Sequence, residues 1–350
     1  MKISKDNRME FLDTLRCIAV LSVICQHIGE RFFPSFAYFT THYFQFGVFG
    51  VTLFFLCSGF IIPVSLQKKT SLSSFWIKRF FRLYPLYLVS LVLGLIGIKL
   101  GLYHHDFPNA TELALQLTML QKLIGAPLII PSHWTLSLEM FFYISITALY
   151  LVKMLNKTLL LSIGSLTAAL FIGVFLHSGY GLIFYIATMF TGTVFYKYIK
   201  RDISLKAVSS VLVFAIVTIV LITFYNLYGT NDLSEYGARN FVPVLSAWIF
   251  AYIVFTLLTY LRRIEQPKFA LFLGKISYSL YLMQGIILAV VPFINNVYIT
   301  SLIITVSILV ISTVTYYTIE KPFSITGSKA AKRVIREDSI SQEQQNYLTK

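Results

Sequence analysis

The chain has 350 residues, of which 57% are hydrophobic and 13% are charged. Soluble domains carry about 25% charged residues, so this composition excludes an ordinary soluble globular protein and indicates a polytopic membrane protein. The formal net charge of +14 would also suit a nucleic-acid-binding protein. Membrane orientation explains the charge better, and we expect no nucleic-acid partner.

Ten apolar runs along the chain are long enough to cross a bilayer. They predict an all-α, polytopic integral membrane protein with about ten transmembrane helices. One membrane domain is expected over residues 1–326, and the polar residues 327–350 are expected to form a disordered or loosely attached tail. The first run contains Asp13 and Arg16 and lacks a cleavage site, so we expect it to be retained as a span. The runs are 11–30, 45–66, 80–100, 134–152, 158–176, 180–198, 206–228, 241–261, 269–293 and 297–319.

The basic residues are distributed unevenly between the two sides of this topology. If the N-terminus is cytoplasmic, 24 of the 29 lysines and arginines fall in cytoplasmic segments, 4 fall in outer segments, and Arg16 lies within a span. Cytoplasmic loops of membrane proteins are enriched in lysine and arginine, so the pattern predicts that both termini are cytoplasmic. The outer residues are Arg31, Lys99, Lys122 and Arg239.

Arg16 and His27 lie 11 positions apart in the first run. At about 100° per residue a helix makes three turns plus about 20° over this distance, so both side chains share one face, roughly 16 Å apart along the axis. Ionisable groups within a span are costly and indicate a functional site. His27 could be a general base, since an imidazole pKa near ~6.5 suits proton abstraction, or an interfacial histidine bonded to a carbonyl. Arg16 could instead reach the headgroups or pair with Asp13.

Arg79 and Arg82 open the third run. Their i, i+3 spacing puts both guanidinium groups on one helix face at the predicted cytoplasmic boundary, where two forked donors would suit phosphate oxygens. Ordinary anchoring of basic residues at the cytoplasmic surface would explain the same pattern. Pro85 is expected to kink this helix or to open its first turn.

The longest outer segment, residues 101–133, contains a sequence at Asn109 and Glu112 that resembles a capping box. Leucines at helical spacing follow it, so the pattern indicates a short surface helix. The neighbouring His104 and His105 fit a solvated loop better than a metal site, and we expect no metal.

Glu139 lies near the outer end of the fourth run. At about 1.5 Å per residue, Glu139 is roughly 8 Å and His27 roughly 5 Å below the outer surface, so the two could touch if their helices are neighbours. A carboxylate that orients a histidine is a recurrent catalytic device. The alternative is a structural pair between Glu139 and another polar group.

Taken in order, the motifs of the chain resemble those of the membrane-bound acyltransferase-3 family, which includes O-acetyltransferases of bacterial surface polysaccharides. The resemblance extends over about residues 8–323. Arg16 and His27, with ten residues between them, are similar to the family's first-span signature, and Arg79 and Arg82 are similar to its Arg-x-x-Arg motif. The other motifs are Gly50-Val-Thr-Leu-Phe-Phe-Leu-Cys-Ser58-Gly59-Phe60, Trp134-Thr-Leu136 with Glu139 and Phe142-Tyr143, Gly274-Lys-Ile-Ser277-Tyr278-Ser-Leu-Tyr281-Leu282, and Glu320-Lys321-Pro322.

The resemblance implies transfer of an acyl group, usually acetyl, from cytoplasmic acyl-CoA to a hydroxyl of a cell-surface or lipid-linked polysaccharide such as O-antigen, capsule or exopolysaccharide. On this interpretation, Arg79 and Arg82 bind the phosphates of acetyl-CoA. His27, oriented by Glu139, is the general base, and Arg16 lines the donor channel or stabilises developing negative charge. The resemblance also implies a location in the bacterial cytoplasmic membrane.

Two other functions are compatible with the same residues. A transporter or flippase of lipid-linked sugars would use the intramembrane histidine, arginine and glutamate as a proton relay or substrate site, although the chain shows no repeated halves. Such a protein would not consume acetyl-CoA. A non-catalytic scaffold predicts that His27→Ala has no effect. Some members of the family carry a fused extracellular domain that this sequence lacks, so we expect it to act alone or with a separate partner.

Overall fold

The computed structural model describes residues 9–67, 71–103, 106–175, 180–228, 232–234 and 237–348. These residues are predominantly helical, which confirms the predicted all-α class. His104 and His105 lie outside the described residues. The elements are α1 (Glu10–Phe32), α2 (Pro34–His42), α3 (Phe46–Gln67), α4 (Leu72–Lys99), α5 (Ala110–Gln116), a 3-10 turn (Pro131–His133), α6 (Trp134–Leu151), α7 (Thr158–Phe175), α8 (Tyr180–Ile199), α9 (Leu205–Leu227), β1 (Asp232–Ser234), β2 (Gly237–Arg239), α10 (Phe241–Tyr260), α11 (Lys268–Lys275), α12 (Ser277–Val290), α13 (Val297–Thr315), a π-helical turn (Tyr316–Glu320) and α14 (Lys321–Leu348).

Nine helices in the described part of the chain are long and apolar enough to cross a membrane, and α11 together with α12 forms a tenth candidate. This result agrees with the prediction of about ten spans. However, α11 and α12 meet at 66°, so the run expected as one span at 269–293 is broken at Ile276. Apolar composition alone does not report a bend, because both halves of a bent span are equally apolar.

The third run forms a longer helix than expected. Ser71 caps α4, and its side chain accepts a hydrogen bond from the Ser74 backbone N–H, so the helix begins at Leu72. Arg79 and Arg82 therefore lie about two and about three turns inside α4 and not at its start. Pro85 is also inside the helix, which excludes the first-turn position that we considered for it.

The chain forms two compact units, the first of which comprises the described residues of Met1–Ile61 and Leu155–Tyr281. In this unit α1 packs on α11, and α7 packs on α8 and α9. Glycines allow two close helix contacts, because an added Cβ would overlap the Met189 carbonyl at Gly59 and the Asp13 carbonyl at Gly274. Small residues at such crossings are typical of membrane helix packing.

The second unit comprises the described residues of Ile62–Met154 and Leu282–Lys350, and in it α14 packs along α4. Gly327 and Ala331 are buried, and Ser324 and Val334 are half-buried, at the spacing of one helix face. The prediction of a disordered tail from residue 327 is therefore wrong for the described residues, which continue as helix to Leu348. The expected domain boundary after residue 326 falls inside α14, because small residues allow this helix to approach α4 closely.

The segment of the second unit between α4 and α6 contains the predicted capping box. The Asn109 side chain accepts a hydrogen bond from the Glu112 N–H at 2.9 Å, and Glu112 accepts one from the Asn109 N–H at 2.9 Å. The helix that follows, α5, ends at Gln116, which is earlier than the leucine spacing indicated. Gln116 is buried and donates to the Pro127 carbonyl at 2.7 Å. The segment therefore turns back on itself at this point.

Candidate active site

Arg16 and His27 occupy one uninterrupted helix in the first unit, as their spacing predicts. Arg16 NH1 donates to Asp13 Oδ1 at 3.4 Å, one turn earlier, which confirms that Arg16 and Asp13 pair. The side chains are 17% and 5% exposed, respectively. Buried Cys57 of α3 lies within the electrostatic reach of both charges. The arginine is therefore held in a partly buried patch of the helix bundle.

A hydrogen-bond network braces the end of α1 around His27, whose side chain is exposed. Gln26 donates to Gln45 Oε1 at 2.8 Å and accepts from the Gly47 N–H at 2.6 Å. Hydrogen bonds therefore hold α1 at two places, Arg16 and Gln26, which lie about three turns apart. One turn after Gln26, Glu30 Oε1 accepts a hydrogen bond from the Thr40 hydroxyl at 2.7 Å.

The sequence interpretation missed the polar neighbours of His27. Gln26, Glu30 and Gln45 were not singled out, although two of them flank the histidine within one turn of an otherwise apolar run. Polar side chains that lie within a span need partners there. Two polar residues on the same turn as His27 were therefore a signal that this end of α1 is held in place by hydrogen bonds.

Arg79 of the second unit is surrounded by aromatic rings. Its guanidinium carbon lies 5.3 Å from the ring centroid of Phe75 and 5.3 Å from that of Tyr143. Its NH2 group donates to Ser65 Oγ at 3.2 Å. Within the described residues, its Nε is buried and has no hydrogen-bond partner. The rings hold the guanidinium group, and its buried Nε–H is left without an acceptor. An oxygen of an anion could accept this hydrogen bond.

Tyr143 connects Arg79 with Glu139. Its hydroxyl donates to Glu139 Oε1 across one turn of α6, and its ring also meets Trp76 edge-on at 6.4 Å. The side chain of Tyr143 is fully buried, and the charges of Glu139, Arg79 and Arg82 all act on its phenol. The second unit thus brings together the three charged residues that the sequence singled out in it.

The same unit contains a second buried polar cluster. His133 Nε2 and the Ser90 hydroxyl are 3.0 Å apart, and the His133 ring centroid lies 4.8 Å from that of Tyr87. The Tyr87 hydroxyl donates to the Gln116 carbonyl at 2.7 Å and accepts from Gln121 Nε2 at 3.4 Å. All five side chains are buried. The cluster ties the segment between α4 and α6 to α4.

The five predicted site residues are divided between the two units. Arg16 and His27 belong to the first unit, and Arg79, Arg82 and Glu139 belong to the second. Contact between His27 and Glu139 therefore stays a prediction. In the described part of the chain, no group of histidine, cysteine and acidic side chains is arranged to hold a metal.

Comparison with known proteins identifies the family of the chain. The acyltransferase domain of the acyltransferase-3 family matches residues 9–320. The chain belongs to the acyltransferase-3 family. This match covers α1, which carries Arg16 and His27, and also covers α4 and α6. The helices and the family together make it a multi-pass membrane protein with an acyltransferase domain.

Three relatives illustrate the range of the acyltransferase-3 family. The protein named Putative O-acetyltransferase SAS0844, from Staphylococcus aureus, is 26% identical over 94% of this chain and 59% of its own length. Acyltransferase MdmB from Streptomyces mycarofaciens is 33% identical over 41% of this chain and 39% of its own length. Putative acetyltransferase ORF330 of Acidianus two-tailed virus is 25% identical over 76% of this chain and 79% of its own length. The chain therefore spans about 59% of the length of the Staphylococcus aureus relative and about 39% of the length of Acyltransferase MdmB. No solved structure matches the chain.

Proposed function

We propose that this protein is a membrane O-acyltransferase that moves an acyl group, most simply acetyl, from cytoplasmic acyl-CoA to a hydroxyl of a cell-surface or lipid-linked polysaccharide. The observation that carries the proposal is the family match over residues 9–320, which includes every charged residue singled out above. Relatives named as O-acetyltransferases support transfer to oxygen. A location in the bacterial cytoplasmic membrane is part of the same proposal.

Arg79 and Arg82 are proposed to bind the phosphates of the donor. Arg79 suits this role because its guanidinium is held between two rings and has a buried Nε without a protein partner among the described residues. Guanidinium groups bind phosphate through paired, charge-assisted hydrogen bonds. Ordinary headgroup anchoring would not require a buried and oriented donor.

His27 is proposed to act as the general base. In the proposed reaction His27 removes the proton of the acceptor hydroxyl while the hydroxyl oxygen attacks the thioester carbonyl carbon. A C–O bond forms and the C–S bond breaks, and the proton passes to the departing thiolate. Glu139 is proposed to orient the imidazole. Arg16, held by Asp13, is proposed to line the donor path or stabilise the developing oxyanion.

The test is transfer of radiolabel from acetyl-CoA to the surface glycan of the host by membranes that contain wild type or His27→Ala at matched expression. We expect transfer by the wild type and its loss in the variant. His42→Ala is the matched control, because His42 lies in the same unit and is exposed, and among the described residues its ring bonds to the Tyr38 carbonyl one turn away, at 2.8 Å.

Each result has a defined meaning. Transfer that persists in His27→Ala would support the acyltransferase activity but exclude His27 as the general base. No transfer by wild type, with several acyl-CoA donors and a verified acceptor, would contradict the proposal in favour of a flippase, which does not consume the donor. Loss of transfer in His42→Ala as well would show a general defect and not a catalytic one.

A further inference from the structure

The C-terminal helix α14 lies directly against the helix that carries Arg79 and Arg82. An added Cβ at Gly327 would overlap the Phe81 side chain, and the rings of Phe81 and Phe323 stack with centroids 6.5 Å apart. Ala331, one turn after Gly327, is fully buried. The contact is therefore a packed helix interface and not a loose tail.

This interface brings another lysine to the basic end of α4. Lys332 follows Ala331 and is exposed, and the charges of Lys332 and Arg79 both act on Lys78. Since residues later in α14 lie beside earlier residues in α4, the two helices run antiparallel. Lys332 consequently lies on the same end of α4 as Lys78 and Arg79.

Like charges brought together in this way repel each other unless an anion lies between them. In the described part of the chain neither Lys78 nor Lys332 forms an ion pair with a carboxylate. Arg79 has a buried Nε that is likewise unsatisfied there. An anion with several oxygens would compensate these positive charges and could accept a hydrogen bond from the unsatisfied Arg79 donor.

We propose that Lys332 and Lys78 extend the arginine pair into a four-cation site, so that the C-terminal helix forms one wall of the binding site for the donor phosphates. This inference rests on the proposed function. A CoA-type donor carries a diphosphate and a separate ribose phosphate, which is more charge than two arginines neutralise. Forked guanidinium groups suit paired oxygens, whereas lysine acts as a point charge.

Calorimetric titration of coenzyme A into the full-length protein, in nanodiscs of neutral phosphatidylcholine, tests the proposal. We expect Lys332→Gln to raise the Kd for coenzyme A about tenfold, the loss expected for one charge-assisted contact. Lys329→Gln is the matched control. Lys329 is exposed on α14 and lies opposite Gly327 and Ala331 on the helix, so its replacement should leave the Kd unchanged.

The outcomes separate this inference from the proposed function. Binding by wild type that is equal in Lys332→Gln overturns the role of α14 and leaves the donor assignment intact. Absence of binding by wild type overturns both. The phosphate could also come from a lipid headgroup. If Lys332→Gln weakens association of the purified protein with phosphatidylglycerol in mixed discs but does not change the Kd for coenzyme A, the site binds lipid and the proposal is wrong. Equal melting temperatures of the variants exclude misfolding as the cause.

Discussion

Two aromatic rings and one hydroxyl position the guanidinium of Arg79. No carboxylate of the described residues forms an ion pair with it. A cation over an aromatic ring gains about 0.5–1 kcal/mol when exposed and ~2 kcal/mol or more when desolvated. A carboxylate would hold the guanidinium more tightly but would occupy the donors that a phosphate needs. Aromatic support therefore orients the cation and leaves its Nε without a partner among the described residues.

Tyr143 is expected to act as a positioning residue for Arg79 and Glu139. Tyr143→Phe keeps the ring beside Arg79, Phe75 and Trp76 but removes the hydroxyl that donates to Glu139. A hydrogen bond to a charged group is worth about 1.5–3 kcal/mol, so we expect kcat to fall roughly 10- to 100-fold. The KM for acetyl-CoA should stay nearly constant, because the Arg79 support remains.

Tyr143→Leu removes the ring as well and provides the comparison. It should raise the KM for acetyl-CoA in addition to lowering kcat, since Arg79 then loses one of its two aromatic supports. Steady-state kinetics of both variants with acetyl-CoA measure the difference. If kcat and KM change by the same amounts in both variants, the ring and the hydroxyl do not have separate roles.

The buried polar cluster around His133 is expected to contribute to stability, and replacing Ser90 tests this role. Ser90→Ala removes the hydroxyl 3.0 Å from His133 Nε2, and His133 Nδ1 already has no partner in the described residues. Leaving a buried polar group unsatisfied costs about 1–3 kcal/mol, so we expect a lower melting temperature in detergent, measured by circular dichroism. Ser165→Ala is the control, because within the described residues that half-buried hydroxyl donates to the Ser162 carbonyl of its own helix. An unchanged melting temperature in Ser90→Ala would contradict this account.

At the scale of elements, helix contact in the first unit depends on a few glycines. At Gly59 an added methyl group would overlap backbone atoms of Met189, which cannot rotate away as a side chain could. Gly164 of α7 has no atom within 4 Å of an added Cβ. The two positions are both helical glycines, and they differ in what faces them.

We therefore expect Gly59→Ala to destabilise the protein by about 1–3 kcal/mol, the cost of overpacking a well-packed interior. Gly164→Ala should be neutral or slightly stabilising, since alanine is the better helix former by about 1 kcal/mol. Thermal unfolding of the purified variants in one detergent measures both changes. Equal stability of the two would mean that α3 and α8 can move apart without cost.

The sequence predicted elements better than contacts, for a physical reason. The span helices and the capping box at Asn109 and Glu112 come from local periodicity, which a single sequence contains. The 66° bend at Ile276 and the docking of α14 depend on tertiary packing. Gly327 and Ala331 were the available signal for that docking, but the charged residues around them dominated the composition of the segment. The aromatic support of Arg79 by Tyr143 likewise joins residues 64 positions apart.

At the scale of the whole molecule, the unequal distribution of lysine and arginine bears on how the chain crosses the membrane. The segment from residue 321 onward contains six of the basic residues that the charge pattern assigns to the cytoplasm. Ten crossings place this segment on the same side as the N-terminus. If α11 and α12 form a re-entrant loop, only nine crossings remain, and the same basic residues face outward, against the usual preference.

Single cysteines distinguish these topologies. Glu265→Cys lies in the loop before α11, Ser328→Cys lies in α14, Thr111→Cys lies in α5, and all three positions are exposed. Among the described native cysteines only Cys25 is exposed, so Cys25→Ala provides the background. A membrane-impermeant maleimide should label Thr111→Cys in intact cells. It should label Glu265→Cys and Ser328→Cys only after permeabilisation, because ten crossings put both on the cytoplasmic side.

Labelling of Ser328→Cys in intact cells, with Glu265→Cys still protected, would mean that α11 and α12 return to the side from which they entered. That result would put Lys332 on the side of the membrane opposite to Lys78, and it would therefore contradict the packing of α14 along α4. Protection of both positions would instead show that the broken helix completes a crossing. It would also place the cation cluster of Lys78, Arg79, Arg82 and Lys332 on the cytoplasmic side, where the proposed acyl-CoA donor would bind.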